Sequence, residues 1–264
     1  MRTKKNGTLE YLVSDEIAVP HGFTTRLGGV STGVLESLNI GMHRGDAPGN
    51  VEENYRRLGQ AMGFDPACLV LTRQTHSDIV RLVTEGDRAG LDHGAYPECD
   101  ALVTGTPGVG LVVFTADCTP ILLHDPVTGA VGAAHAGWRS TAAGIAEKTV
   151  QAMVAHFGCD PANIRAAIGP HIAACCFQTD SDVPEAMRKA IGAAAEAFIE
   201  ARGDKFHVDL KGINAHFLRR AGVRQIDIST DCTACRCDRY WSHRVTRGAR
   251  GSQGAIIICG EGNP

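Results

Sequence analysis

Runs of consecutive apolar residues, separated by segments with helical periodicity, are the feature that most constrains the fold of this 264-residue chain. Such runs are typical of strands that are buried on both faces of a sheet, whereas half-exposed strands alternate apolar with polar residues. The runs lie at residues 69–71, 79–83, 109–114, 121–123, 131–134, 164–168 and 255–258. They predict a covered mixed sheet.

Four helices are predicted between these strands. The first spans about 51–62, with a capping signal at Asn50 and Glu53 and a stop at Gly63. The others span about 140–158, 183–201 and 210–221. The chain has neither repeats nor an obvious linker, so we predict one globular α/β domain over residues 1–264, with helices flanking the sheet.

Composition and charge narrow the possible partners. The 26 basic and 29 acidic residues give a formal charge of −3 without a basic block, so we expect binding neither to nucleic acid nor to a membrane surface. No apolar signal segment follows the basic residues near the start, which favours a cytoplasmic protein. The ten cysteines fall well short of a disulfide scaffold, and we expect no structural disulfides.

Two histidines and a cysteine form the best candidate site. His76, Cys118 and His135 each lie in a short, turn-bounded apolar string. Two imidazoles and a thiolate suit a borderline-soft ion such as zinc, and three protein ligands leave a fourth position open, as in catalytic sites. The three residues are distant in sequence, so the fold must bring them together.

The context of Cys118 and His135 also favours a site. A strand predicted at 109–114 ends shortly before Cys118, and the strand at 131–134 leads directly to His135. Ser140 or Thr141 then begins a helix, whose free amides, together with Arg139, could hold an anion such as phosphate. Taken singly, the cysteine could equally be a small core residue and the histidine a hydrogen-bonded turn residue.

Five longer strings resemble one known family. They are GFTTRLGGVSTGVLESLNIG, NVEENYRRLGQAMG, TADCTPILLHD, AAHAGWRST and DCTACRCDRYWSHR, and they occur in the order that the family shows. From about residue 20 onward, the chain resembles the laccase-domain (polyphenol oxidase) family, whose members are described as purine nucleoside phosphorylases.

This resemblance implies a single α/β domain with a zinc ion bound by His76, Cys118 and His135. It also implies phosphorolysis of adenosine, inosine, guanosine or methylthioadenosine, and family members are credited with deaminating adenosine. Several positions depart from the family pattern, including Ser140 where a glycine is usual. Three of them bear on substrate contacts: Tyr55 stands where an arginine is usual, Phe177 replaces a tyrosine and Gln178 replaces a glutamate. These changes could alter substrate contacts without affecting the metal ligands.

Phosphorolysis suggests further contacts, because inorganic phosphate attacks C1′ of the ribose while negative charge develops on the departing base. Guanidinium groups fit phosphate oxygens. The candidates for phosphate or ribose contacts are Arg26, Arg44, Arg73 and Arg139. Asn39 and Asp117 could orient the ribose hydroxyls or the metal ligands.

A second group of cysteines has a weaker pattern. Cys232, Cys235 and Cys237 form C-x2-C-x-C, and Cys259 could complete a four-thiolate site if the last strand returned to it. Packing of reduced thiols is the preferred interpretation. The adjacent Cys175 and Cys176 are also expected to be reduced, because a bridge between neighbours requires strained geometry.

Two other enzyme classes compete with the phosphorylase. A copper-dependent polyphenol oxidase would need many imidazoles, typically in His-x-His pairs, and none of the eleven histidines lies two residues from another. A metal-free hydrolase would use Cys118 as nucleophile with His76 or His135 as base. A non-catalytic metal-binding protein is the remaining alternative.

Overall fold

Two six-stranded mixed sheets form the centre of the structure, a computed structural model that describes residues 1–91 and 96–260. The first sheet has, in spatial order, the strands β1 (Arg2–Asn6), β2 (Leu9–Val13), β3 (His21–Thr24), β15 (Gln253–Ile258), β7 (Gly110–Thr115) and β4 (Leu69–Leu71). All neighbours pair antiparallel except β4 and β7, which are parallel.

The second sheet contains six further strands. Its spatial order is β14 (Gln225–Ile228), β10 (Arg165–Ile168), β8 (Thr119–His124), β9 (Val131–Ala136), β6 (Ala101–Thr104) and β5 (Val80–Leu82). A small third sheet has the order β11 (Gln178–Thr179), β13 (Lys205–Val208) and β12 (Ile199–Arg202).

The two large sheets pack face to face, and helices cover their outer faces. Leu111 and Val113 of β7 point into the apolar layer between the sheets together with Leu122 of β8, whereas Val112 faces the opposite way. Helix α1 (Pro48–Met62) covers the first sheet, and α3 (Ile145–Phe157) and α5 (Leu210–Arg220) cover the second. Successive strand residues therefore enter different apolar layers, which explains the uninterrupted apolar runs.

The α/β class and the covered mixed sheet are thus confirmed, with the covered strands divided between two large sheets. The predicted helices at 51–62 and 210–221 correspond to α1 and α5. The prediction of one helix over 140–158 is wrong: α2 (Trp138–Ala142) and α3 are separate, because Gly144 has a left-handed φ of 79°.

The prediction of a helix over 183–201 is wrong in its second half. Helix α4 (Asp182–Ile191) ends at Gly192, whose φ is 59°, and a 3-10 turn over Gly192–Phe198 leads into β12. The last helix, α6 (His243–Thr246), is a single turn. Across 1–91 and 96–260, no helix has the length and apolar character needed to cross a membrane, and all ten cysteines are free thiols.

Candidate metal centre and substrate cavity

Two chain crossings between the large sheets bring the predicted site residues together. His76 lies in the connection from β4 to β5, and Cys118 lies in the short connection from β7 to β8. Both connections leave the first sheet and enter the second. In the second sheet Pro120 pairs with His135, so the register places the start of β8 beside the end of β9. Cys118 and His135 are neighbours for this reason.

The donor atoms of these three residues lie within 4.8 Å of one another. Cys118 Sγ is 3.8 Å from His76 Nε2, and the two imidazole rings meet edge to face with centroids 5.0 Å apart. His135 is buried, Cys118 is half-buried and His76 is exposed. The group is therefore closed on the protein side and open on the other, as a three-ligand site with a free fourth position requires.

Asp100 organises two of the three donors. Because Ala101 pairs with Ala134, Asp100 lies beside His135, and its Oδ1 is 2.7 Å from His135 Nδ1. The same carboxylate accepts backbone N–H bonds from Thr75, His76 and Ser77 at 2.7–3.1 Å. The bond between Asp100 and His135 Nδ1 leaves Nε2 of His135 facing the site. The sequence analysis missed Asp100, whose only signal is its position directly before a buried strand.

One of the donors, and the residue directly before another, lie in strained backbone. Four non-glycine residues in the described part of the chain have positive φ, and His76 (60°) and Asp117 (88°) are two of them. Such conformations persist where the surroundings hold them and often occur at functional sites. The Asp117 carboxylate is held by Thr233 Oγ1 at 2.7 Å and by the Arg244 backbone N–H at 2.7 Å. Asp117 therefore fixes the turn that presents Cys118.

Gly137 gives His76 room to approach Cys118. A Cβ at this position would lie 2.5 Å from His76 Cδ2 and 3.3 Å from Cys118 Sγ. The first distance is far below van der Waals contact, so any larger residue would displace the His76 ring.

We expect Gly137→Ala to weaken zinc binding about tenfold, within the ~10–100-fold range seen when a ligand loses its orientation. Zinc affinity measured by competition with a chromogenic chelator tests this. Gly132→Ala, in the strand β9 that precedes Gly137, is the control, because its Cβ would lie 3.3 Å from side-chain atoms of Met153 and Thr149 and 3.5 Å from Leu123 Cβ, away from the three donors. Equal zinc affinities of the two variants would contradict the assignment.

The pKa values of the group favour a thiolate beside an imidazolium in the metal-free protein. Burial opposes the charged form of Cys118, but His135 and His76 lower its pKa to about 6. Burial likewise opposes charge on His135, yet the Cys118 thiolate and Asp100 raise its pKa to about 9. Asp100, desolvated but bonded to His135 and Ser77, has a pKa of about 2. The thiolate form is the one that binds metal.

A cavity of about 400 Å³ opens beside the three donors. That volume falls in the range of about 300–1,000 Å³ typical of small-molecule sites. Apolar surface comes from Met42, Leu71 and Phe114, and His76, Cys118 and His135 line one part of the wall. The remaining lining residues are Gly41, His43, Arg44, Thr72, Arg73, Gln74, Tyr96, Thr115, Ala116, Arg250 and Ser252.

Two guanidinium groups make the cavity cationic. Arg44 and Arg250 both bond the Ser252 hydroxyl, at 3.3 Å and 3.2 Å. Burial, and then the charge of Arg44, lower the pKa of Arg250 to about 10, so it stays charged at neutral pH. Within the described residues, the buried Nε of Arg250 has no hydrogen-bond partner. Two adjacent cations with unused donors suit an anion.

The other predicted contact residues divide into two sets. Arg44 and Arg73 line the cavity, and Arg73 also pairs with Glu98 at 3.3 Å. Arg26, Arg139 and Asn39 do not line it, contrary to the sequence prediction.

Each of these three has a different local role. Arg26 stacks 3.9 Å over the Trp241 ring, and Arg139 stacks 4.1 Å over the Trp138 ring. The Asn39 Oδ1 accepts the backbone N–H groups of Gly41 and Ser252, which shapes the loop behind Arg44. Arg250, which the sequence analysis missed, lines the cavity, whereas Arg139 does not.

The three departures from the family pattern lie away from the cavity lining. Tyr55 is fully buried, and its hydroxyl donates to the Ile40 carbonyl at 3.1 Å. Phe177 is buried beneath Arg244, and the Gln178 carbonyl accepts a bond from the same guanidinium at 3.0 Å. These three residues therefore contribute to packing and hydrogen bonding outside the cavity and do not form its wall.

Known proteins are similar to this chain in both sequence and fold. The chain is 40% identical over 250 residues to a purine nucleoside phosphorylase of Deinococcus radiodurans, covering 94% of this chain and 92% of the relative. It is 38% identical to purine nucleoside phosphorylase YfiH of Escherichia coli, covering 84% of this chain and 86% of the relative. The crystal structure of YlmD from Geobacillus stearothermophilus superposes with a TM-score of 0.91 at 34% identity, covering 98% and 99% of the two chains.

These similarities confirm the resemblance seen in the five sequence strings. Residues 20–260 match the family described as multi-copper polyphenol oxidoreductase laccase. The chain belongs to this laccase-like family, whose curated relatives are named purine nucleoside phosphorylases.

Proposed function

We propose that this protein is a zinc-dependent purine nucleoside phosphorylase of the cytoplasm. It cleaves adenosine, inosine, guanosine or methylthioadenosine with phosphate, giving the free base and ribose 1-phosphate or its methylthio analogue. A phosphate oxygen bonds to C1′, the bond from C1′ to the base breaks, and the base keeps the electron pair and takes up a proton. Deamination of adenosine at the same site is a second proposed reaction.

One observation carries this proposal: a two-histidine, one-cysteine donor group and a pair of guanidinium groups line the same cavity. A hydrolase needs no cationic cradle for a phosphate, whereas a phosphorylase needs one beside the scissile bond. The relatives' names point to the same reaction class.

The donor group fits zinc. Its members combine one low-pKa thiolate with two imidazoles, a set that suits this borderline-soft ion. Asp100 holds His135 with Nε2 toward the other donors, which is the orientation that a histidine ligand requires. When bound, zinc supplies Lewis-acid chemistry for polarising a substrate oxygen or water.

The remaining steps depend on this chain's own side chains. Arg44 and Arg250 bind phosphate and hold it against the ribose, which reduces the entropic cost of bringing the reactants together. Phe114 and Met42 offer apolar surface to the purine and exclude water from that part of the cavity. Desolvation strengthens the interaction between the guanidinium groups and the phosphate.

Chromatography of each of the four nucleosides incubated separately with the zinc-loaded protein, with and without phosphate, tests the reaction, and adenosine is the first substrate. Adenine and ribose 1-phosphate that appear only with phosphate support phosphorolysis. Adenine with free ribose, or no release of base from any of the four nucleosides, overturns it. Inosine in the phosphate-free sample reports the deamination separately.

We expect Arg250→Met to raise the KM for phosphate ~10–100-fold, because a hydrogen bond to a charged group contributes about 1.5–3 kcal/mol. The KM for adenosine should change little. Steady-state kinetics with each substrate varied in turn measure the difference. Arg139→Met is the control, since Arg139 stacks on Trp138 outside the cavity. Equal effects of the two variants on phosphate would show that Arg250 does not bind it.

A metal-free Cys/His hydrolase is the second candidate, favoured by the low pKa of Cys118 and its contact with His76. The two mechanisms respond differently to reagents. Activity that survives exhaustive chelation but disappears after alkylation of Cys118 would support the hydrolase. Activity that chelation removes and zinc restores would support the phosphorylase.

Copper chemistry is the reaction that the family description suggests. Among the described residues, the donor groups able to hold a metal contain two histidines in all, both at this site. A trinuclear copper cluster needs many more imidazoles. Intense blue absorption after loading with Cu²⁺, together with oxidation of a phenol, would favour copper over zinc.

A further inference from the structure

A second metal-binding group lies outside the cavity. The Sγ atoms of Cys175, Cys176, Cys232 and Cys235 lie within 4.8 Å of one another, and none of these residues lines the cavity. Cys175 and Cys176 follow β10, and Cys232 and Cys235 follow β14, so two distant segments of the chain each contribute a pair.

The sulfur separations match a tetrahedral thiolate site. Zinc–sulfur bonds of about 2.3 Å place the four sulfurs of a tetrahedron roughly 3.8 Å apart. Cys175 Sγ is 3.8 Å from Cys176 Sγ and 3.6 Å from Cys235 Sγ, and Cys176 Sγ is 3.4 Å from Cys235 Sγ. A small displacement of Cys232 would complete the arrangement.

The backbone around these cysteines resembles that of known thiolate sites. Cys232 and Cys235 have the C-x2-C spacing, and the Arg236 backbone N–H donates to the Cys232 carbonyl at 3.0 Å to close the turn between them. Cys232 Sγ accepts the backbone N–H of Ala173 at 3.4 Å. This bond crosses from one segment to the other.

Disulfide bonding does not account for the group. A bridge between Cys175 and Cys176 would be strained because the residues are adjacent. A bridge from Cys175 or Cys176 to Cys235 would use two of the four sulfurs and leave the other two thiols unbonded beside the bridge. A single thiophilic ion satisfies all four sulfurs together.

We propose that Cys175, Cys176, Cys232 and Cys235 form a closed four-thiolate zinc site. Binding releases the thiol protons to solvent, and the ion links the segment after β10 to the segment after β14. The Arg244 guanidinium donates to the Cys176 carbonyl at 3.0 Å, which places a positive charge beside a centre that carries about −2 when all four thiolates bind.

The composition of the group differs from the pattern in the sequence. The sequence offered Cys237 and Cys259 as possible partners of Cys232 and Cys235, although packing of reduced thiols was the preferred interpretation. Cys259 is buried elsewhere, with its Sγ 3.3 Å from the Gly129 carbonyl, and Cys237 is not part of the group. Cys175 and Cys176 take their places, which only the folded chain reveals.

Metal analysis of protein purified under reducing, zinc-replete conditions tests the site. We expect two zinc ions per chain in the wild type and in the control Cys237→Ser, and one in the double variant Cys175→Ser/Cys176→Ser. An ion count that is the same in the wild type and the double variant, or a disulfide joining Cys235 to a neighbour under these conditions, would overturn the proposal. One ion in the wild type and none in the double variant would support the four-cysteine site and count only against zinc in the cavity.

A second measurement avoids dependence on the folding of the double variant. Cys118→Ala protein lacks the cavity thiolate, so any thiolate-to-cobalt charge-transfer band after Co²⁺ loading must arise elsewhere. We expect a strong band with the spectrum of tetrahedral, four-thiolate cobalt. Its absence would exclude the four-cysteine site, whatever the outcome for the proposed phosphorylase.

Discussion

Cys118→Ala is expected to reduce kcat/KM for phosphorolysis of adenosine by about 10³-fold or more. The change removes the only thiolate of the cavity site and leaves two imidazoles, one of them exposed. Loss of a single electrostatic contact to a developing charge typically costs about 10²–10³-fold in rate, and this variant would lose the ion that we propose supplies such contacts. The measurement combines steady-state kinetics with metal content.

The control for this variant is Cys237→Ser, which changes a cysteine outside both thiol groups. It should retain wild-type kcat/KM. Unaltered phosphorolysis by folded Cys118→Ala protein would exclude both the metal centre and the cysteine nucleophile at this position.

Asp100→Asn is expected to weaken zinc binding by about 100-fold, at the upper end of the ~10–100-fold range for residues that orient ligands. Asparagine would present N–H groups to a pocket that already contains N–H donors from Thr75, His76 and Ser77. It would also remove the negative charge that holds His135 in place. Chelator competition at neutral pH gives the affinity.

Asp125→Asn is the matched control, because Asp125 is equally buried but bonds the Val127 backbone N–H away from the site. The pH dependence of folding gives an independent readout. The pKa of Asp100 is lowered from 3.8 to about 2 in the folded protein, so its stabilising effect is present above pH ~4 and is lost as pH falls through about 2. Urea unfolding of metal-free wild type and Asp100→Asn should therefore converge toward pH 2. A constant difference would contradict this role.

The sequence predicted where the strands and helices lie better than it predicted which elements pack against one another. Consecutive apolar residues at 121–123 show that both faces of β8 are buried, but the pattern contains no information on which sheet packs on which face. The predicted helices at 140–158 and 183–201 are interrupted at glycines. Gly144 and Gly192 lie inside segments of good helical composition, and their left-handed conformations are set by the packing of the fold.

The site residues differ in the same way: some could be recognised from their own chemistry, and others only from their positions in the folded chain. His76, Cys118 and His135 were identified because each residue type has its own chemistry and a strand-end setting. Arg250 was missed because its string, RGARGSQG, resembles an ordinary polar loop, and only the hydrogen bond to Ser252 places it beside Arg44. Asp100 lies beside His135 because of the register between β6 and β9. That register depends on both strands, so the sequence around Asp100 alone does not predict it.

The position of β15 has a consequence for synthesis of the protein. This strand lies between β3 and β7 in the first sheet, although those two strands emerge from the ribosome much earlier. Until residue 258 is available, two strand edges stay unpaired in the nascent chain and can associate with other chains. Arg250 and Ser252 directly precede β15, so we expect them to join the cavity wall only when that strand inserts. The part of the cavity wall formed by Arg250 and Ser252 is therefore completed only after β15 pairs with β3 and β7, and a chain that stops before this strand would expose two unpaired strand edges.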